Sequence, residues 1–279
     1  MNTKFIVNDY VLIWNLLFQA AISETIYNLK QKLWDTYKDQ YNAMFKDKSN
    51  ILKDYKNFIP NDDTIYNILL TEKDYEKLRK RVDKYRLEVM KLWDKNKKVT
   101  DNLVSNILRL NLPNYNFFIV NKELNIIDHP TNDSLIIGKE IDSKDPLKLL
   151  LDINMSIASN NIKSYKEQYV KFKKTILELA IYNEYATRLT KRSCYQSGSP
   201  ALSSLKRWLY PYWLMYLGVP QDEFPTYMMR DKIVFDTKKY AYEKELKKIS
   251  IEEFIDFCIR NQRYIIREPK EIKQEIEII

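Results

Sequence analysis

Apolar positions in the first part of the chain recur at helical spacing. Between Asp9 and Lys48, Trp14, Phe18, Ile22, Ile26, Leu29 and Leu33 follow one another at intervals of three and four, and nothing in the stretch breaks a helix. One long amphipathic helix is predicted there. Turn chemistry follows at Phe58-Ile59-Pro60-Asn61-Asp62-Asp63, which supplies a cap for a helical segment around Thr64 to Leu70. From Thr71 the pattern Tyr75, Leu78, Val82, Tyr85, Val89, Leu92 alternates steps of three and four, the seam of a helix packed nearly antiparallel on another. A helical hairpin is the expectation. Lys77, Arg79, Lys80, Lys84 and Arg86 on its outer face are interspersed with Glu76, Asp83 and Glu88, so the face reads as solvated, with charges paired along the helix.

After a helix over Asp101 to Leu110 the period shortens. Tyr115 to Val120, Leu124 to Asp128 and Ser134 to Ile141 are short β-type runs between turn residues, the one region read as strand. Asp145-Pro146 opens the next helix, through Leu149, Leu150, Ile153 and Ile157 to Asn160 and Asn161. A basic helix is predicted from Lys163 to Arg192, burying Tyr169, Phe172, Ile176, Leu179, Ala180 and Tyr185. Ser197-Gly198-Ser199-Pro200 is a turn, and the aromatic helix Leu202 to Leu217 is expected to kink or break at Pro211. Ser250 and Glu253 form a capping box ahead of Phe254, Ile255, Phe257 and Ile259. The fold class is therefore mainly α, of α+β type: a helical hairpin plus a helical C-terminal half around a small central β-sheet. Residues 1–112 read as a helical N-terminal region, 113–267 as an α+β region and 268–279 as a charged tail.

Composition supports this picture and narrows the chemistry. In 279 residues there are only three Gly and nine Pro, with 30% charged residues, which favours long helices over strands and tight turns. Cys194 and Cys258 lie too far apart for a zinc pair or a disulfide framework, and read as reduced, buried thiols. The apolar run Tyr10 to Ile22 contains Asn15 and Gln19 and is too short to span a bilayer. Asn8 and Asp9 interrupt the start where a signal sequence needs a clean apolar stretch, so the expectation is a cytoplasmic protein with no membrane insertion.

A single histidine, His129, is too few for a catalytic zinc and is the one imidazole that could serve a Ser or Cys nucleophile. It sits in Ile127-Asp128-His129-Pro130 and reads as a loop residue after a strand, held by Asp128 or the backbone. Gly138, Gly198 and Gly218 are isolated, so phosphate-cradling loops are not supported. No cofactor and no metal is expected. Chemistry with carboxylates alone stays open, with Asp152, Glu178 and Glu184 as candidates, although Glu184 can pair with Arg188 one turn later. The net charge of +8 is consistent with nucleic-acid binding through the basic helix of Lys163, Lys166, Lys171, Lys173, Lys174, Arg188, Lys191 and Arg192, and equally with a Lys- and Asn-rich coding bias. Lys171, Lys174, Arg188 and Arg192 are its leading binding residues. The run Lys206 to Trp213 interleaves bases with aromatics, but Trp208, Tyr212 and Met215 fall at helical spacing and read as core.

From Tyr115 to Thr190 the order of elements resembles the core of zincin-type metallopeptidases. In that family strands, the last along the substrate cleft, precede a helix bearing His-Glu-x-x-His, and a following helix brings a third ligand, often Glu. Here the strand Ser134 to Ile141 precedes Leu149-Leu150-Leu151-Asp152-Ile153-Asn154-Met155-Ser156, and Ile181 to Leu189 is a second helix bearing Glu184. Leu151 and Met155 stand where the family carries histidines, and Asp152 where it carries the catalytic Glu. What the resemblance implies is a pseudoenzyme: zinc binding lost, the groove kept for a peptide or protein partner.

Overall fold

The computed structural model describes residues 1–18, 73–191, 198–219 and 246–266, with the single positions 24, 27–29, 31 and 35. It has the expected class, mainly helical with one small mixed sheet. Two compact units are present, each assembled from separate stretches: Met1–Lys97 with Leu112–Asn160, and Lys98–Asn111 with Asn161–Ile279.

In the first unit a strand β1 (Asn2–Ile6) leads into helix α1 (Asp9–Phe18), and helix α2 (Lys73–Asn102) leads back to the sheet strands β2 (Asn114–Ile119), β3 (Ile126–Thr131) and β4 (Ser134–Gly138). The strand order is β1-β2-β4-β3. β1 runs parallel to β2 with Phe5 opposite Phe117, β2 runs parallel to β4 with Phe117 opposite Leu135, and β3 returns antiparallel to β4. The three predicted strands are present: β2 and β4 start within a residue of the expected runs, β4 ending at Gly138 rather than Ile141, and β3 is shifted to Ile126–Thr131 from the expected Leu124 to Asp128. β1 is an addition: Thr3-Lys4-Phe5-Ile6 has strand propensity, but its partner lies more than a hundred residues away, so no local turn announces it. All five positions of β4 are buried, as expected of a strand covered on both faces.

α2 is one continuous helix to Asn102, followed by a π-helical turn at Leu103–Ile107, where a separate helix over Asp101 to Leu110 was expected. Its seam runs as predicted through Tyr75, Leu78, Val82, Tyr85 and Val89, then steps by four to Trp93 rather than Leu92. The seam meets the sheet. Trp93 packs edge-on to Phe117 at 4.8 Å and to Phe5 at 6.4 Å, and Tyr85 donates its hydroxyl to the Lys139 carbonyl. Tyr75 and Arg79 both reach Asp9, at 2.6 and 2.9 Å, which fixes the start of α1. The expected second arm of the hairpin lies mostly outside the described residues, although Glu24, Tyr27, Asn28, Leu29, Gln31 and Asp35 are helical. The turn at 58–63, the helix at 64–70, Cys194, Arg192 and the tail after Pro269 also lie outside them.

Helix α3 (Leu147–Asn161) completes the first unit. Its first turn is set by the Asp145 carbonyl, which accepts from Lys148 N at 3.1 Å.

The second unit is helical. α4 (Glu167–Glu178) passes into a π-helical segment, Leu179–Tyr185, and then α5 (Ala186–Thr190), so the predicted helix over Lys163 to Arg192 starts later and changes register midway. Residues 175–181 are buried without interruption, which marks a rod enclosed on all sides. α6 (Ser203–Leu217) continues through Pro211, so of the expected kink or break the break does not occur. It ends at Gly218, whose φ of 78° suits the left-handed cap, with N–H bonds from Gly218 to Met215 O and from Val219 to Leu214 O. α7 (Ile251–Arg260) opens on the predicted capping box, Ser250 Oγ accepting from Glu253 N at 3.2 Å and Ser250 N donating to Glu253 at 2.7 Å.

Aromatic packing joins these helices. Trp213 stacks on Tyr216 at 5.2 Å and Tyr216 meets Phe254 at 4.7 Å. Arg109, at φ 53°, lays its guanidinium over the Tyr216 ring at 4.0 Å and donates to the carbonyls of Tyr216, Leu246 and Ile249. Cys258 is buried, as expected, and burial pushes its thiol pKa up, so it is an inert thiol rather than a nucleophile.

Candidate functional site

The most unusual chemistry in the second unit lies where α4 ends. Glu178 is its last residue, and its side chain is 3% exposed. A carboxylate this deep requires a counter-charge and hydrogen bonds. Lys206 of α6 supplies the first at 2.6 Å, and the Ser199 backbone N–H supplies the second at 3.2 Å to each oxygen. Gly198 lets the 198–199 turn come this close. Its φ is 128°, and a Cβ there would meet Lys206 Nζ at 2.5 Å and Glu178 Oε2 at 2.7 Å. The predicted turn and the basic position in Lys206 to Trp213 are thus the two partners of the acid. Nothing in the local sequence paired them.

Beyond Glu178 the backbone adopts its π register, a feature that recurs at functional sites because it widens the helix and re-aims side chains. Glu184 lies in this segment, 21% exposed, with Arg188 Nη2 at 3.7 Å, the i,i+4 pair foreseen from the sequence. Burial pushes its pKa up, opposed by the Arg188 charge and by the nearby Trp213 indole N–H. That indole makes no well-formed hydrogen bond, so its help is weak. A raised folded pKa means that the protonated carboxyl suits the fold better than the charged one. The favourable contribution is complete below the ordinary value of 4.5 and is lost as pH rises through the higher folded value. Glu184→Gln, which resembles the protonated form, is therefore expected to gain stability relative to the native chain as pH is raised across that window. Urea midpoints of the two proteins from pH 4 to 7 check this, and parallel curves would show that Glu184 is effectively solvated.

Asp152 belongs to the first unit. It lies on α3 and pairs with Lys139, just past the end of β4, at 2.7 Å. Each of the three candidate acids thus has a cation from its own unit, and Asp152 is in a different unit from Glu178 and Glu184. Among the described residues no three His, Cys, Asp or Glu side chains converge into a metal-holding group.

The basic helix is similarly committed in part. Lys163 Nζ pairs with Asp256 at 2.6 Å, Lys173 donates to the carbonyls of Ile162 and Lys163, and Arg188 holds Glu184. Lys166, at the N-cap of α4, and Lys171 and Lys174 within it are exposed. His129 lies within β3 rather than after it and is exposed, its N–H turned to Asp128 Oδ1 at 2.8 Å. Of the three residues read as core, Tyr212 and Met215 are buried, whereas Trp208 is only half-buried; Trp213 is core as well. Among the described residues no helix is long and apolar enough to cross a membrane. Comparison of the chain with protein-family models, with curated proteins and with solved structures finds no match.

Proposed function

We propose that this chain works by recognition rather than turnover, as a non-catalytic interaction protein, a degenerate zincin-like domain, that binds a peptide or protein partner. One observation carries the reading: the three acids that would have to perform carboxylate chemistry are each engaged by a cation of their own unit, Asp152 by Lys139, Glu178 by Lys206 and Glu184 by Arg188. General acid–base work needs an acid whose oxygens are free to meet a substrate proton. Support also comes from Leu151, at the position of the family's first histidine, which is 1% exposed and part of the core. The strand next to α3 in sequence, β4, is interior to the sheet, and β3 is an outer strand as described. A peptide bound by strand addition would therefore lie along Ile126–Thr131. Binding through the basic helix is less favoured, because Lys163, Lys173 and Arg188 already serve the fold.

The test is a peptide library selected on the immobilised full chain, with the recovered peptides titrated in solution and followed by mass spectrometry with and without added zinc. Saturable binding of peptides that stay intact is expected. Cleavage under either condition would end the non-catalytic reading, and the lack of any saturable peptide would end the peptide one.

A further inference from the structure

The outer face of α2 is a separate surface, and its reading does not depend on the peptide site. At 3.6 residues per turn, the side chains of Lys73, Lys77, Arg81, Lys84, Glu88, Lys91 and Lys95 fall within an arc of about 80° and extend for roughly 33 Å. All seven are exposed, and Glu88 is the one acid in the row. The sequence suggested that much of the charge on this helix pairs along it, and part of it does. Arg79 and Arg86, both half-buried, take Asp83, and Arg79 also takes Asp9, while Lys80 takes Glu76. Within the row, only Lys77 has an ion pair among the described residues, with Asp74 at 3.3 Å.

We infer that this row docks the phosphate backbone of duplex nucleic acid. A duplex carries one charge per about 1.7 Å of its axis, so it can meet the whole row at once. Five of the six cations in the row are lysines, which meet phosphates as point charges, and Arg81 is the one side chain with a planar fork suited to a guanine edge, so phosphate contacts dominate. A membrane surface fits less well. The apolar seam of α2, Tyr75 to Trp93, is buried against its own unit, and Leu87, 42% exposed, is the one large apolar side chain of the helix left to place among acyl chains.

The experiment is fluorescence anisotropy of the full chain with a labelled mixed-sequence duplex, at 50 and at 200 mM salt. About five phosphate contacts predict a loss of affinity of roughly 500-fold between the two. In the triple variant Lys84→Gln, Lys91→Gln, Lys95→Gln, affinity at 50 mM falls and the salt-driven loss shrinks to about tenfold. The corresponding triple replacement by Arg keeps both. On α4, Lys166→Gln, Lys171→Gln, Lys174→Gln leaves binding as it was. The inference is overturned by no binding at 50 mM salt, by salt-insensitive binding, by loss confined to the α4 variant, or by tighter capture on phosphatidylserine vesicles or polyglutamate than on the duplex. Because none of these readouts involves a peptide, failure here leaves the peptide reading standing, and the reverse.

Discussion

Replacing Lys206 by alanine is expected to remove about 3–5 kcal/mol from the stability of the second unit, the usual result of leaving a buried carboxylate without its counter-charge. Glu178, 3% exposed, would keep only the Ser199 N–H among the described residues. The size of the effect comes from the stranded charge rather than from the worth of the pair. Replacing both partners, Glu178→Gln with Lys206→Met, should therefore recover most of the loss, because paired removal of a buried ion pair is often close to neutral. Gly198→Ala attacks the same place from the backbone, and roughly 1–3 kcal/mol is expected for a β-carbon at φ 128° beside the pair. Urea unfolding by circular dichroism, with hydrogen exchange on α4 and α6 to locate the change, measures all three. A loss under about 1 kcal/mol for Lys206→Ala would mean that water reaches the carboxylate.

A comparable loss, about 3–5 kcal/mol, is expected in the first unit for Trp93→Ala. Trp93 is fully buried and joins two strands, with Phe117 at 4.8 Å and Phe5 at 6.4 Å. Its removal leaves a cavity under the β1–β2 pair, so exchange should rise first in Asn2–Ile6, an outer strand with a short ladder. Trp93→Phe provides the contrast. The indole N–H makes no hydrogen bond among the described residues, so the smaller ring keeps an aromatic contact and discards an unsatisfied donor. Its cost should stay below about 1.5 kcal/mol. Equal losses for the two replacements would show that the hydrogen-bonding capacity of the indole, and not the volume of the ring, holds the strand.

How far the sequence could be read depended on how far apart the interacting residues were. The seam from Tyr75 to Val89 and the box of Ser250 with Glu253 involve neighbours within a turn or two; the box was legible in position and role, the seam in position, while its partner proved to include the sheet. Glu184 with Arg188 was legible too, because four residues on a helix are always one turn apart. The same reasoning held for much of the charge on α2, where Lys77 with Asp74, Lys80 with Glu76, and Arg79 and Arg86 with Asp83 pair along the helix. Spacing did not show that Arg79 also reaches Asp9, on another element. The π-helical segment at Leu179–Tyr185 also left no local mark, since its residues suit an ordinary α-helix and the extra residue per turn is favoured only by what packs around it.

Among the candidate acids, the sequence could name Asp152, Glu178 and Glu184 but not their surroundings. By itself it determined the helical class, the three central strands, the caps and the scarcity of imidazole, because propensity, periodicity and composition are properties of short windows. Tertiary structure alone decided that Asn2–Ile6 joins the sheet opposite Asn114 and that Glu178 is buried against Lys206 under a glycine turn. The physical reason is shared: burial and pairing bring together residues distant along the chain, and their free energy depends on water excluded by the whole fold, which no local pattern records.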